Sequence, residues 1–519
     1  METIAEFVTA LRERSVSLTL SGDELRYRAP HGTLTPEMLR QTAARKQEII
    51  EYLRRETAPN PPAPLPRGCD GPLPLSFAQE ALVNAYEKMT AFEGQHLSLT
   101  LRLRGPLDIT ALENALNAVV ARHAVLRTRY SHEADGAVHA FADPTRAIPT
   151  DIIDLETLPE SARDEESRRC IARWRTTRFD LQRGPLLRAG LIKLAQNHYV
   201  WAVIVHHSIF DAWSGGVLMR EVLGAYGAIS TGAAPTLPPL ALQFSDYAYW
   251  LREWVDSPEG TEQYLYWERV LADIKQPFWL PQRTTFVSSA DVDVPGKNRF
   301  RLSPATVSRL RELSHSEQTT IQAVLLAAYA AVLHLWSAAP AVLIAVLHFG
   351  RPFPPLSGLI GCFIQSWLLR VDLGRESRFK DVVRQATERM HQAQRYLQFP
   401  FGRLKPMLAQ RSDETPLLHI TFNYIPHMQR LAGGQAASPA GPLGIEEFET
   451  AKPSDILPEG RGEKLNLTAF DQGDSMELWV RYASSRLSPA AAVEFAEQLH
   501  ALLESAAADP AVLLARVRA

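Results

Sequence analysis

The stretch Val203-Ile204-Val205-His206-His207-Ser208-Ile209-Phe210-Asp211-Ala212-Trp213-Ser214 decides how this chain is read. An unbroken apolar run ends in two histidines, an aspartate follows four residues after the second, and a turn and a helix come next. The apolar run predicts a buried strand. A strand end is a rigid place to hold a catalytic base. Successive strand side chains point to opposite faces, so only one of the two histidines can face a given cleft. That asymmetry predicts one functional and one structural histidine. A carboxylate at Asp211 can shape the local turn through its side chain.

Working outward, strand and helix patterns alternate on both sides. Leu97 to Leu103 alternates at period two, as a strand should. Leu112, Leu116, Val119 and Val120 sit at helical spacing ahead of Arg122-His123. Residues 321–336 form an Ala/Leu-rich buried helix and 341–348 a buried strand. Residues 478–482 form a late strand and 489–507 a last helix. The mixture predicts an α/β (α+β) fold with two lobes. A site where the lobes meet is expected. Residues 432–442, rich in Gly, Ala and Ser, predict a mobile loop.

Toward the N-terminus the pattern changes. Ile4, Phe7, Val8 and Leu11 have helical spacing. Val16 to Leu20 and Leu25 to Arg28 flank a Gly-containing turn and predict a β-hairpin. Thr35-Pro36 opens a further helical segment. Residues 1–56 therefore read as a small αββαα unit, marginally stable unless it pairs or is tethered. Residues 57–69 follow as a Pro-rich spacer, with five prolines in the ten residues from Thr57 to Pro66. The lobes are assigned to residues 70–243 and 244–519.

At 519 residues the chain is too long for one core. A net charge of -3 argues against nucleic acid or an anionic membrane as partner. Three dispersed cysteines, Cys69, Cys170 and Cys362, imply a reducing, cytoplasmic setting without a disulfide framework. No zinc-type spacing, signal peptide, membrane-length apolar run or nucleotide-binding glycine motif is present, so neither metal nor nucleotide is expected.

The residues from His206 to Ala212 resemble the HHxxxDG signature of nonribosomal peptide synthetase condensation domains, members of the chloramphenicol-acetyltransferase-like superfamily. Other segments resemble that family's motifs in order: Ser76-Phe77-Ala78-Gln79, Arg122 to Tyr130, Phe179-Asp180-Leu181, Phe244 to Trp250, Ile360 to Ser366 and a diverged Tyr396 to Gly402. The resemblance spans about residues 70 to 512. It implies two lobes in a V and amide formation between an upstream carrier-bound acyl or peptidyl thioester and a downstream carrier-bound amine. It places the chemistry on His207 and gives His206 and Asp211 architectural roles, with Arg127 as the partner of Asp211. Ser76, Trp213, Ser214, Gln365 and Ser366 are expected along the tunnel. The 4′-phosphopantetheine arms would arrive on the two partner carrier proteins, since this chain has no carrier-type GGxS site.

Residues 1–56 resemble docking domains of the tubulysin-synthetase type. There an exposed hairpin, here Leu18, Leu20, Leu25, Arg26, Tyr27 and Arg28, accepts the C-terminal tail of the upstream synthetase protein by strand addition. Seven basic residues against three acidic ones from Arg26 to Arg55 would suit an acidic tail. Departures from the family pattern are Ala212 in place of glycine, where a methyl could narrow the site or strain the backbone, and Ala81 and Val83 in the opening motif. An epimerisation domain and a non-catalytic platform recruiting carriers or tailoring enzymes are the alternatives. Heterocyclisation fits less well, because that branch carries paired aspartates in place of the histidines.

Overall fold

The computed structural model describes residues 17–21, 24–28, 38, 40–42, 45–46, 49, 63–68, 70–88, 95–133, 136–272, 295–337, 339–374, 376–404, 420–426, 443–448, 465–484 and 487–514. The chain divides into two compact units, Met1–Ala63 and Pro64–Ala519. In the first, β1 (Ser17–Ser21) and β2 (Glu24–Arg28) form an antiparallel hairpin, with Leu20 opposite Leu25 and Ser17 opposite Arg28. Of the expected docking side chains, only Leu25 is described, and it is half-buried. Those of Leu18, Leu20, Arg26, Tyr27 and Arg28 lie outside the described residues, as do residues 432–442. Backbone bonds from Arg45 to Gln41 and from Ile49 to Arg45 mark a helical turn after the hairpin.

The second unit holds two large sheets, a short antiparallel pair of β4 (Thr128–His132) and β5 (Val138–Ala142), and two hydrophobic cores. The first sheet contains β3 (His96–Arg104), β6 (Thr150–Asp154), β7 (Leu187–Ala195), β8 (His198–His206) and β13 (Gly444–Glu447), in the order β13-β3-β8-β7-β6. Helices α1 (Phe77–Glu87), α2 (Ile109–Arg122), α3 (Glu160–Thr176), α4 (Ala212–Ile229) and α5 (Phe244–Val255) contribute buried side chains to its core. The second sheet runs β11 (Gln365–Asp372), β10 (Ala341–His348), β12 (Ile420–Ile425), β14 (Leu465–Asp471), β15 (Met476–Ala483), β9 (Pro295–Leu302). Its core is closed by α6 (Pro258–Val270), α7 (Pro304–Ser316), α8 (Ile321–Ser337), α9 (Phe379–Ala393) and α10 (Pro489–Ala508). Among the described residues no single helix is long and apolar enough to cross a membrane.

Two boundaries differ from the sequence reading. The C-terminal end of the proline-rich spacer is not free: the Arg67 amide donates to Asp246 at 2.7 Å and its guanidinium pairs with Glu253 on α5. The lobe boundary at 243/244 also shifts. The residues Phe244, Tyr247, Trp250, Leu251 and Trp254 of α5 belong to the first core. So do Phe353, Phe363 and Phe448, far along the chain. Strand β13 (Gly444–Glu447) crosses over as well and pairs antiparallel with β3. The chain after residue 244 therefore builds part of both lobes. Linear motif order cannot show such an exchange, because it reflects packing between distant segments such as those at Gly444 and Arg104.

Candidate active site

Strand β8 is held to its last residue. His206 pairs with His96 on β3, its amide donates to Leu186, and the amide of His207 donates to Gln95 at 2.8 Å. The two histidines then diverge as alternation requires. His206 is fully buried. Its Nδ1 lies 3.1 Å from the donating Ser208 amide and 2.7 Å from the Ser208 hydroxyl. Its ring meets Tyr86 edge-on at 4.4 Å. Burial, reinforced by neighbouring His96 and His207, pulls its pKa well below 6.5, so this imidazole stays neutral. His96 sits beside it, accepting from Tyr86 at 2.8 Å and donating to the Arg175 carbonyl.

His207 turns the other way and lines a cavity of about 270 Å³. Its Nδ1 lies 2.7 Å from the Phe210 carbonyl oxygen. A carbonyl only accepts, so Nδ1 carries the proton and Nε2 is left with its lone pair. Burial lowers the His207 pKa below 6.5, opposed by the Phe210 hydrogen bond and the nearby Asp211 charge. The result is a fixed tautomer of a neutral imidazole, the form a general base requires.

Asp211 is the knot of the site. It caps α4, accepting from the Ser214 amide and hydroxyl, each at 2.8 Å. It also accepts from the Phe363 amide at 3.0 Å. Its expected partner, Arg127, is not there: that guanidinium donates to the Asp143 carbonyl instead. Arg351 takes the place, reaching Asp211 through both terminal nitrogens at 2.8 and 3.1 Å. The Asp211 and Arg351 side chains are 1% and 4% exposed. Arg351 follows the end of β10 in a stretch without repeating pattern, so neither spacing nor motif order pointed to it. Trp213 and Ser214 also depart from expectation, for neither lines the cavity. The indole N–H of Trp213 donates to Ser357 at 2.9 Å, and the Ser214 hydroxyl receives the Gly361 amide at 3.0 Å. Both tie α4 to the 354–363 segment.

The opening motif supports the same loop. Ser76 caps α1 in a reciprocal box with Gln79. The Gln79 carboxamide donates to the Ser208 carbonyl at 3.1 Å and to Tyr130 at 3.2 Å, clamping the residue after His207. Sequence reasoning missed this role. The Ser76-Phe77-Ala78-Gln79 motif contains the residue, and a glutamine at a helix's third position, with amide protons to spare beyond the capping box, was the available signal. Ser76 itself lines a smaller neighbouring cavity of about 150 Å³. Ala78, Ala81, Gln365 and Ser366 border both cavities. The Gln365 amide group donates to the Tyr247 hydroxyl at 2.7 Å.

Ala212 lines the main cavity. It is the first residue of α4, and the non-glycine residues with positive φ among those described are Asn197 and Gln318. The methyl therefore meets the cavity without straining the backbone. No group of three or more His, Cys, Asp or Glu suited to a metal occurs among the described residues.

Comparisons with known proteins show the family of the chain and its fold. The Condensation domain family profile matches residues 70–518, and that of the TubC N-terminal docking domain matches residues 4–55. A linear gramicidin synthase of Brevibacillus parabrevis is 33% identical over 365 residues, covering 69% of this chain and 7% of that protein. The chain thus spans a small part of such relatives. The X-domain from teicoplanin biosynthesis superposes with a TM-score of 0.74 at 26% identity, covering 88% of this chain and all of that one. The first condensation domain of the calcium-dependent antibiotic synthetase, solved with a substrate analogue, gives a TM-score of 0.70 at 19% identity, covering 86% and 99%. The second likeness speaks to fold alone.

Proposed function

The chain belongs to the condensation-domain family of nonribosomal peptide synthetases, preceded by a TubC-type docking domain, and from that premise we propose that it forms an amide bond between two carrier-borne substrates. The observation that carries the proposal is the His207 geometry: Nδ1–H is spent on Phe210, and the neutral ring borders a cavity between the lobes. The acceptor amine nitrogen attacks the carbonyl carbon of the donor thioester. A C–N bond forms and the C–S bond breaks. Nε2 of His207 takes the amine proton and returns it to the departing thiolate. Such proton transfer contributes about 10²–10⁴-fold. Holding two tethered reactants in line supplies much of the rest. His206, Asp211 and Arg351 hold the loop and touch no reacting atom.

The donor would arrive on the upstream carrier and the acceptor on the downstream one. The β1–β2 hairpin would recruit the upstream synthetase protein by taking its C-terminal tail as a third strand. Reconstitution with a donor-loaded and an acceptor-loaded carrier, read by intact-protein mass spectrometry, tests the reading. Transfer of the acyl mass to the acceptor carrier supports it. Exchange of only an α-proton with solvent deuterium would instead indicate epimerisation. Carrier binding without any mass transfer, for every pairing, would indicate a recruiting platform.

A further inference from the structure

The two edges of strand β3 are covered to different lengths. Its register with β8 is unbroken from His96 to Arg104. The His207 amide donates to Gln95 at one end of this ladder, and the Gly105 amide to Asn197 at the other. In an antiparallel ladder, alternate residues turn their N–H and C=O to opposite sides. The odd-numbered residues of β3 therefore bond β8, and the even-numbered ones face the opposite edge. There β13 pairs with Arg104 to Leu101, and the Phe448 amide adds a bond to the Thr100 carbonyl at 3.1 Å. The Thr100 hydroxyl donates in turn to the Phe448 carbonyl at 2.7 Å.

Ser98 is the next even position along that edge. Among the described residues nothing bonds its N–H or its C=O, and its buried hydroxyl has no partner either. The residue is 4% exposed and lines the His207 cavity. Buried main-chain polar groups are nearly always paired, and an unpaired one costs about as much as a lost hydrogen bond. The lining around it includes apolar Leu97, Leu99, Phe210, Leu347 and Ile364. Ser98 therefore offers one acceptor and two donors on a strand edge that already binds a peptide segment two residues away, at Thr100.

We propose that Ser98 takes the main chain of a peptidyl donor, which lies along β3 as a short added strand in line with β13. One donor residue gives its N–H to the Ser98 carbonyl and accepts from the Ser98 N–H and hydroxyl, much as Phe448 is held at Thr100. Strand addition draws affinity from the main chain and leaves the side chains free to vary. Ser98 stands opposite Ile204, three positions before His207. At the rise of a strand this is about 10 Å, or roughly three residues of extended chain between the bonded residue and the thioester. The substrate class is a peptidyl chain of about that length or more, as opposed to a simple acyl group. The inference rests on the condensation reading for what enters the cavity, and its test does not depend on turnover. The pantetheine arm carries secondary amides of its own, so the ligands compared share the arm and differ in the acyl unit.

The full chain is titrated by calorimetry with pantetheine conjugates that carry a methylene in place of the thioester sulfur. The acyl unit is N-acetyl-tri-alanyl or its analogue with esters in place of the inner amides, and pantetheine alone is the third ligand. The peptidyl conjugate should bind roughly fivefold or more tightly than the ester conjugate, which cannot donate to the Ser98 carbonyl. Ser98→Pro removes both Ser98 donors and spares the β8 ladder, as a proline facing an open edge does. It should weaken the peptidyl conjugate roughly fivefold or more and leave pantetheine unchanged, and Ser98→Ala should weaken the peptidyl conjugate less. If Ser98→Pro does not fold, the ester comparison on the unmodified chain decides. Equal binding of the peptidyl and ester conjugates, or peptidyl binding unchanged in Ser98→Pro, overturns the proposal. So does a Ser98→Ala loss equal to that of Ser98→Pro, which would put the contact on the hydroxyl alone. Ser98-dependent binding of pantetheine itself would give the edge to the arm and overturn it too. Selective, Ser98-dependent binding by a chain that forms no amide would uphold the strand addition and overturn the condensation reading.

Discussion

Asp211 and Arg351 form a nearly sealed ion pair, and its removal has a calculable signature. Two parallel contacts at 2.8 and 3.1 Å join them, and three further donors converge on the same carboxylate. Replacing one member leaves the other buried and uncompensated, which costs about 3–5 kcal/mol. Asp211→Ala and Arg351→Met should each lower stability by that amount. The double variant should lose less than their sum, with a coupling of roughly 0.5–3 kcal/mol. Arg127→Ala combined with Asp211→Ala should instead be additive to about 0.5 kcal/mol. Urea unfolding followed by tryptophan fluorescence and far-ultraviolet circular dichroism measures each single and double variant, and coincident transitions license the comparison. Additivity between Asp211 and Arg351, or coupling to Arg127, would refute the pairing. Full stability of Asp211→Ala with activity lost would move Asp211 from architecture to chemistry.

Gln79→Ala removes one hydrogen bond to the Ser208 carbonyl, in the loop behind His207, and one to the Tyr130 hydroxyl, and should cost about 1–3 kcal/mol. Turnover should fall in Gln79→Ala with little change in carrier binding, and steady-state kinetics beside a carrier titration would detect the opposite. Burial holds His96 and His348 near pKa 4, against an unfolded value near 6.5. A folded pKa below the unfolded one means stability is fully present above pH 6.5 and drains as pH falls toward 4. The slope should be up to about 1.4 kcal/mol per pH unit for each group; a stability flat from pH 7 to 4.5 in urea titrations would contradict it. The same logic gives His207 an acid limb in the rate profile with its midpoint below 6.5, and a midpoint above 7 would be inconsistent. Ala212→Gly relieves no strained dihedral and should destabilise by at most about 1 kcal/mol. A large gain in stability on thermal unfolding would show that the alanine backbone is strained.

Much of the fold was legible because its elements are long and strongly patterned. The helix expected over 321–336 runs from Ile321 to Ser337, and the strand over 341–348 coincides with β10. The alternation argument separated His206 from His207 from period alone. What escaped depends on packing across great sequence distance. Arg351 lies 140 residues beyond Asp211 in an irregular segment, so the motif suggested Arg127 instead. The return of β13 to the first sheet and the loyalty of α5 to the first core are likewise tertiary choices. Trp213 and Ser214 adjoin the site in sequence, yet helix geometry turns them toward 357 and 361 rather than into the cavity. The backbone strain expected at Ala212 is absent because helix entry, not a left-handed turn, follows Asp211, while its methyl lines the cavity.

The most direct test is a single-turnover experiment with both carriers loaded, comparing the chain with His207→Ala. The account predicts acyl transfer to the acceptor carrier by the unmodified chain. It predicts loss of roughly 10²–10⁴-fold in rate with His207→Ala, while carrier affinity and unfolding midpoint stay in place. A His207→Ala protein that forms the amide at the unmodified rate would contradict it.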